Sequence, residues 1–178
     1  MGMRRRHFRA ELKIVNTRPD DGRDYCIGDC TTRAMAYCLK GLFTYREIEH
    51  EQYRLAEMAN KNEGRKWGDG QHKYHRNSSS VWPLVMADMG YSWISICPTI
   101  RRDRLAEVLN HLLAYPVITR SSGHVAVVEN GFVIDTWDSR GGRCDRLMVK
   151  SNDVNKVMSC LEQYQFLTEF GNLDGVLP

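Results

Sequence analysis

The chain has 178 residues, of which 42% are hydrophobic and 26% charged, and its formal net charge is +3. That length fits one domain with its own core, and the composition is that of a folded globular protein. A charge so near neutrality does not by itself imply a nucleic-acid partner. No apolar run approaches the roughly 18 residues of a membrane span. The opening MGMRRRHFRAELKIV has no apolar segment of the secretory kind. The six cysteines are Cys26, Cys30, Cys38, Cys97, Cys144 and Cys160. Without an export signal they are expected as free thiols in a reducing cytoplasm.

In chain order, a basic segment around Arg4, Arg5, Arg6 and Arg9 precedes a short strand at about 10–16. Residues 17–29, TRPDDGRDYCIGD, are turn formers and predict a loop. Asp29 is suited to N-cap a helix that starts at Cys30, with Ala34, Met35, Cys38 and Leu39 as its buried stripe and Gly41 as its stop. Thr44 and Glu47 have capping-box spacing. Ile48, Tyr53, Leu55, Ala56 and Ala59 continue that second helix to about residue 60. A long polar loop follows over about 60–80, with Lys61, Arg65, Lys66, Lys73 and Arg76 interleaved with Trp67 and Tyr74. A helix at 80–89, a strand at 91–97 and a helix at 101–114 come next.

From residue 115 the periodicity becomes that of strands: YPVITR, GHVAVVE, FVIDTW and CDRLMVK. The middle two meet at Asn130-Gly131, the strongest short hairpin signal. A helix at about 153–163 closes the chain. The expected class is α+β, a single domain over 1–178 with N-terminal helices packed on a C-terminal antiparallel sheet.

The hairpin sets a register. With Asn130 and Gly131 as turn residues, Glu129 opposes Phe132, Val128 opposes Val133, Ala126 opposes Asp135 and His124 opposes Trp137. His124, Asp135 and Trp137 then share a face, and Asp138 does not. Asp135 lies diagonal to His124, within reach of its ring. Cys30 sits in the first turn of a helix, where the dipole favours a thiolate. His124 is the base that such a thiol needs, and Asp135 the group that orients it.

Gly28-Asp29-Cys30, Gly123-His124-Val125-Ala126-Val127-Val128 and Asp135-Thr136-Trp137 resemble the nucleophile, base and orienter elements of papain-like cysteine peptidases, the bacteriocin-processing type among them. GDCTTRA with SGHVAVVENGFVIDTWDS is similar to small phage-encoded papain-like proteins. The resemblance implies a cysteine hydrolase (peptidase, isopeptidase or amidase) with Cys30, His124 and Asp135 as its triad and no cofactor. Its substrate would be a peptide or protein, including a host protein or a ubiquitin-like conjugate, with neither membrane nor nucleic acid as partner. Trp137 would shield the His–Asp bond, and Asp29 and Asp24 are supporting candidates. Asp24 stands where the family places an oxyanion-hole Gln, so another donor is needed; Arg23, Tyr25 and Asn16 are the candidates. The alternative is a scaffold that binds a host protein without turnover. A zinc site from Cys26, Cys30, His124 and Cys144 lacks the second close pair that such sites use. His72 and His75 form only a weak pair in the polar loop.

Overall fold

The computed structural model describes residues 10–20, 28–64 and 75–169. The basic segment before residue 10, Asp24, Arg23, Tyr25, Cys26 and loop residues 65–74, with Trp67, His72 and Tyr74, lie outside them. The elements are β1 (Glu11–Ile14), α1 (Cys30–Cys38), α2 (Tyr45–Asn62), α3 (Trp82–Ala87), β2 (Tyr91–Arg101), α4 (Arg102–Asn110), β3 (Val117–Ser121), β4 (His124–Glu129), β5 (Phe132–Asp135), β6 (Arg143–Lys150) and α5 (Val154–Glu169). No helix among the described residues is long and apolar enough to cross a membrane.

The class is α+β, but the sheet is mixed rather than antiparallel. Its order is β1-β5-β4-β3-β6-β2. β1 runs parallel to β5, with Ile14 beside Asp135, while the other pairs are antiparallel. Helices also cover both faces rather than one. Val125, Val127, Ile118, Ile134 and Met148 pack with Ala34, Met35, Ile48, Trp82 and Met86 from α1 to α3. On the other face Val117, Val128, Val133, Leu147 and Val149 pack with Leu105, Leu109, Val157 and Leu161 from α4 and α5. The strands therefore alternate between two apolar faces, which is why YPVITR and HVAVVE read as nearly continuous apolar runs. Each fully buried aliphatic side chain in these layers contributes about 1.5–3 kcal/mol.

The hairpin forms in the expected register, with Glu129 opposite Phe132 and Val128 opposite Val133. Asn130 and Gly131 both take positive φ, 50° and 79°, as a two-residue turn of this kind requires. Thr44 and Glu47 form the full capping box. The inner face of α2 differs from the expected stripe. Tyr45, Ile48, Gln52, Ala56 and Asn60 are buried, and Tyr53 is exposed. The two amides are admissible because they are satisfied: Asn60 Nδ2 donates to the Ala56 carbonyl, and Gln52 takes part in three bonds described below. α2 extends to Asn62, so the polar stretch is helical at its start. Cys97 is exposed, and Cys160 is half-buried.

Candidate active site

Three elements converge at one end of the sheet. α1 brings Cys30 at its first position, β4 begins with His124, and β5 ends with Asp135. The Cys30 thiol faces the His124 ring and the Val125 backbone N–H, both of which favour its ionised form. His124 Nε2 lies 2.6 Å from Asp135 Oδ2. With Nε2 engaged by the carboxylate, Nδ1 is the ring nitrogen left for the thiol. The structure thus brings Cys30, His124 and Asp135 together. Asp138 is turned away and pairs with Arg140 at 2.7 Å. Trp137 lies against the imidazole, with ring centroids 4.8 Å apart, and is 54% exposed, so it covers one side of the His–Asp bond from solvent.

Asp135 accepts from more than His124. Ser139 Oγ donates to the same Oδ2 at 2.5 Å, and the Thr136 N–H donates to Oδ1 at 2.7 Å. Burial alone would push this carboxyl up. The bonds from His124, Ser139 and Thr136 outweigh it and hold Asp135 below the usual carboxylate range. Burial likewise pushes the His124 imidazole down, but its bonds to Asp135 and Cys30 leave it raised above its ordinary value. For Cys30 burial pushes the thiol up; the bonds from His124 and Val125, with the charges of His124 and Arg33, bring it below its ordinary value. All three shifts run in the direction that favours a thiolate beside an imidazolium beside a carboxylate.

Asp29 occupies the N-cap position of α1 but makes no capping bond, contrary to the sequence expectation. Its carboxylate, fully buried, is committed elsewhere. Arg18 grips both oxygens, each at 2.6 Å, Arg33 donates to Oδ1 at 2.9 Å, and the Tyr45 hydroxyl donates to Oδ2 at 2.8 Å. Two guanidiniums offset the cost of burying that charge. Arg33 also donates to Thr136 Oγ1, next to Asp135. One side chain therefore ties the helix that carries the thiol to the strand end that carries the carboxylate. Because Asp29 leaves the first turn of α1 uncapped, its side chain does not compete for the backbone N–H groups beside Cys30.

A second set of bonds holds the other flank of the nucleophile. Asn77 Nδ2 donates to the Gly28 carbonyl, and Asn77 Oδ1 accepts from Thr31 Oγ1. Gln52 donates to Thr31 Oγ1 at 3.2 Å and to the Arg76 carbonyl at 3.0 Å, and accepts from Thr32 Oγ1 at 2.6 Å. The C-terminal end of the long polar segment is thus fastened to the residues on either side of Cys30. Asn16, a candidate oxyanion donor, has its side-chain oxygen bonded by the Arg18 N–H at 3.1 Å. A pocket of about 20 Å³ is bordered by Thr17, Cys30, Arg33, Tyr37, Val127 and Asp135. That volume holds about one water.

Sequence reasoning missed Ser139, Arg33, Gln52 and Asn77. Ser139 lies past the end of β5, where strand register carries no information. Arg33 follows Asp29 at the i,i+4 spacing of a helical ion pair, a signal that was present. Gln52 and Asn77 carry none, because their partners are distant in sequence. Of the zinc alternative, Cys144 is buried in the opposite core, and His124 is engaged by Asp135 and Cys30. Among the described residues no group of three or more His, Cys, Asp and Glu is placed to hold a metal ion.

No protein-family model matches the chain, and neither a curated protein nor a solved structure matches it.

Proposed function

We propose that the chain is a papain-like cysteine hydrolase that cleaves an amide, isopeptide or thioester bond through a thioester intermediate. The observation that carries this reading is the convergence of Cys30, His124 and Asp135 at one end of the sheet, with the His124 ring held by Asp135 at 2.6 Å and acting to lower the Cys30 thiol. In the proposed cycle the Cys30 thiolate attacks the substrate carbonyl carbon. The backbone N–H of Cys30, in the uncapped first turn of α1, donates to the oxygen that gains charge. The imidazolium gives its proton to the departing group, an amine in the amide case, and the acyl group stays on sulfur. His124, now neutral, takes a proton from water as that water attacks the thioester. Collapse of the adduct releases the acid, with the proton returning to the ion pair. Asp135 keeps its charge throughout and holds the ring.

The test is the rate of Cys30 alkylation by iodoacetamide as a function of pH. An ordinary thiol is only a few per cent ionised at pH 7. Rapid labelling of Cys30 that persists well below pH 7, and that is abolished in Cys30→Ala, is the expected result. Labelling that rises only around the ordinary thiol range, near 8.5, sinks the proposal. A second reading, a non-catalytic scaffold that captures a host protein, draws on Asp24, since a carboxylate in the oxyanion position would oppose the charge of the intermediate. It predicts sluggish labelling together with retained partner binding in Cys30→Ala.

A further inference from the structure

Ser139 is outside the three-residue line, yet its surroundings are built with more care than a turn residue requires. The turn that follows β5 is folded back by the Gly142 N–H bond to the Ser139 carbonyl at 3.0 Å. The same carbonyl accepts from Arg102 Nη1 at 2.8 Å. Arg102 is fully buried. Its other donors reach Thr119 Oγ1 at 2.8 Å and Ser121 Oγ at 3.0 Å, and the backbone N–H of Arg102 donates to the Gly142 carbonyl at 2.9 Å. The guanidinium therefore moors the turn to β3 by neutral oxygens. Among the described residues it forms no ion pair. A buried cation that divides its donors between the turn and β3 fixes the turn against that strand. What the turn presents is the Ser139 hydroxyl, 2.5 Å from the Asp135 oxygen that also faces His124 Nε2.

Building on the cysteine-hydrolase reading, we propose that Ser139 is a positioning residue, whose hydroxyl sets the rotation of the Asp135 carboxylate and through it the orientation of His124 toward Cys30. Without the hydroxyl, Asp135 keeps the Thr136 N–H bond on Oδ1 and the His124 contact on Oδ2, but Oδ2 loses the second donor that fixes its position, and the carboxylate is freer to turn Oδ2 away from the ring. The imidazolium then loses part of its counter-charge, and the thiolate loses part of its partner. The charged and titratable groups acting on this unit are His124, Asp135 and Cys30 themselves, with Arg33 on the α1 side; Arg102 stands behind Ser139.

The experiment is the pH profile of iodoacetamide alkylation in the whole protein, compared among the natural chain, Ser139→Ala and Ser139→Thr. Ser139→Ala keeps the carbonyl that Arg102 holds and deletes only the hydroxyl. The expected result is a midpoint about one pH unit higher and labelling at pH 6 slowed about tenfold, the scale of one hydrogen bond to a charged group. Ser139→Thr, which retains a hydroxyl, should recover most of the loss, and circular dichroism should show all three chains folded. An unchanged midpoint in Ser139→Ala overturns the inference. So does a variant that unfolds, because the hydroxyl would then be structural. If the natural chain itself labels like an ordinary thiol, the fault lies with the hydrolase reading rather than with Ser139.

Discussion

At the scale of single residues, position along the hairpin separates two nearby carboxylates. Asp135 ends β5 on the same face as His124 and is nearly enclosed. Asp138 lies beyond the strand, more than half exposed, and paired with Arg140. The consequence is an unequal response to the same substitution. Asp135→Ala should slow Cys30 alkylation at pH 6 by tenfold or more and cost about 1–3 kcal/mol of stability, because it leaves the donors of His124, Ser139 and Thr136 without their acceptor. Asp138→Ala removes an exposed ion pair, worth about 0–1 kcal/mol, and should leave the alkylation profile in place. Rates and urea midpoints for the two variants decide the matter. The reverse order would mean that the register of the hairpin does not select the orienting group.

At the scale of elements, α1 is held at its base by an ion cluster rather than by a cap. Asp29→Ala should therefore behave as the removal of a buried counter-ion from Arg18 and Arg33, costing about 3–5 kcal/mol. The loss of a surface N-cap would cost only about 1 kcal/mol. A urea midpoint that shifts by the smaller amount would contradict this account of Asp29. Gln52→Ala should cost about 1–3 kcal/mol, since Thr31, Thr32 and the Arg76 carbonyl all lose a partner inside the protein; a surface-like effect on the urea midpoint would contradict it. Much of this level was legible in the sequence, and the reasons are local. Asn130-Gly131 specifies the turn by backbone conformation, and Thr44 with Glu47 marks a helix start by two reciprocal bonds. Cys30, His124 and Asp135 are spaced by elements whose periodicity is plain. The illegible parts depend on distant pairing. The parallel β1–β5 contact joins residues 121 positions apart, from Glu11 with Phe132 to Ile14 with Asp135. Gln52 faces inward because its partners arrive from α1 and from residue 76, while Asn60 bonds back to the Ala56 carbonyl of its own helix. Helices on the second face of the sheet follow from the two-sided apolar character of β3 and β4, which antiparallel hairpin reasoning does not weigh.

At the scale of the whole molecule, the ionisations of the site couple to folding with opposite signs. Asp29 and Asp135 are both depressed in the folded chain. Their contribution is present above the ordinary carboxylate range and is lost as pH falls through the depressed values. Cys30, also depressed, acts in the same sense, its contribution disappearing as pH falls through its lowered value. His124 is raised, so its contribution is present below the ordinary histidine value near 6.5 and is lost as pH rises through the raised one. Urea midpoints measured from pH 3 to 9 should decline steeply on the acid side. Replacing His124 by Ala should remove a component that weakens with rising pH. An acid limb that is flat in the natural chain would count against the buried carboxylates as charged groups.

The strand order has a consequence for how the protein comes into being. β2 touches the sheet only through β6, which lies between it and β3, although β2 is synthesised earlier than either β3 or β6. A ribosome that has released the chain through residue 101 has made the thiol-bearing helix and β2, but neither the imidazole nor the strand that lets β2 dock. The nascent cysteine is chemically ordinary at that stage, with no base beside it. On the hydrolase reading proposed above, reactivity is thus deferred until the hairpin has formed and α1 has settled on it, and the assembling polypeptide is spared its own nucleophile while it is least able to protect itself.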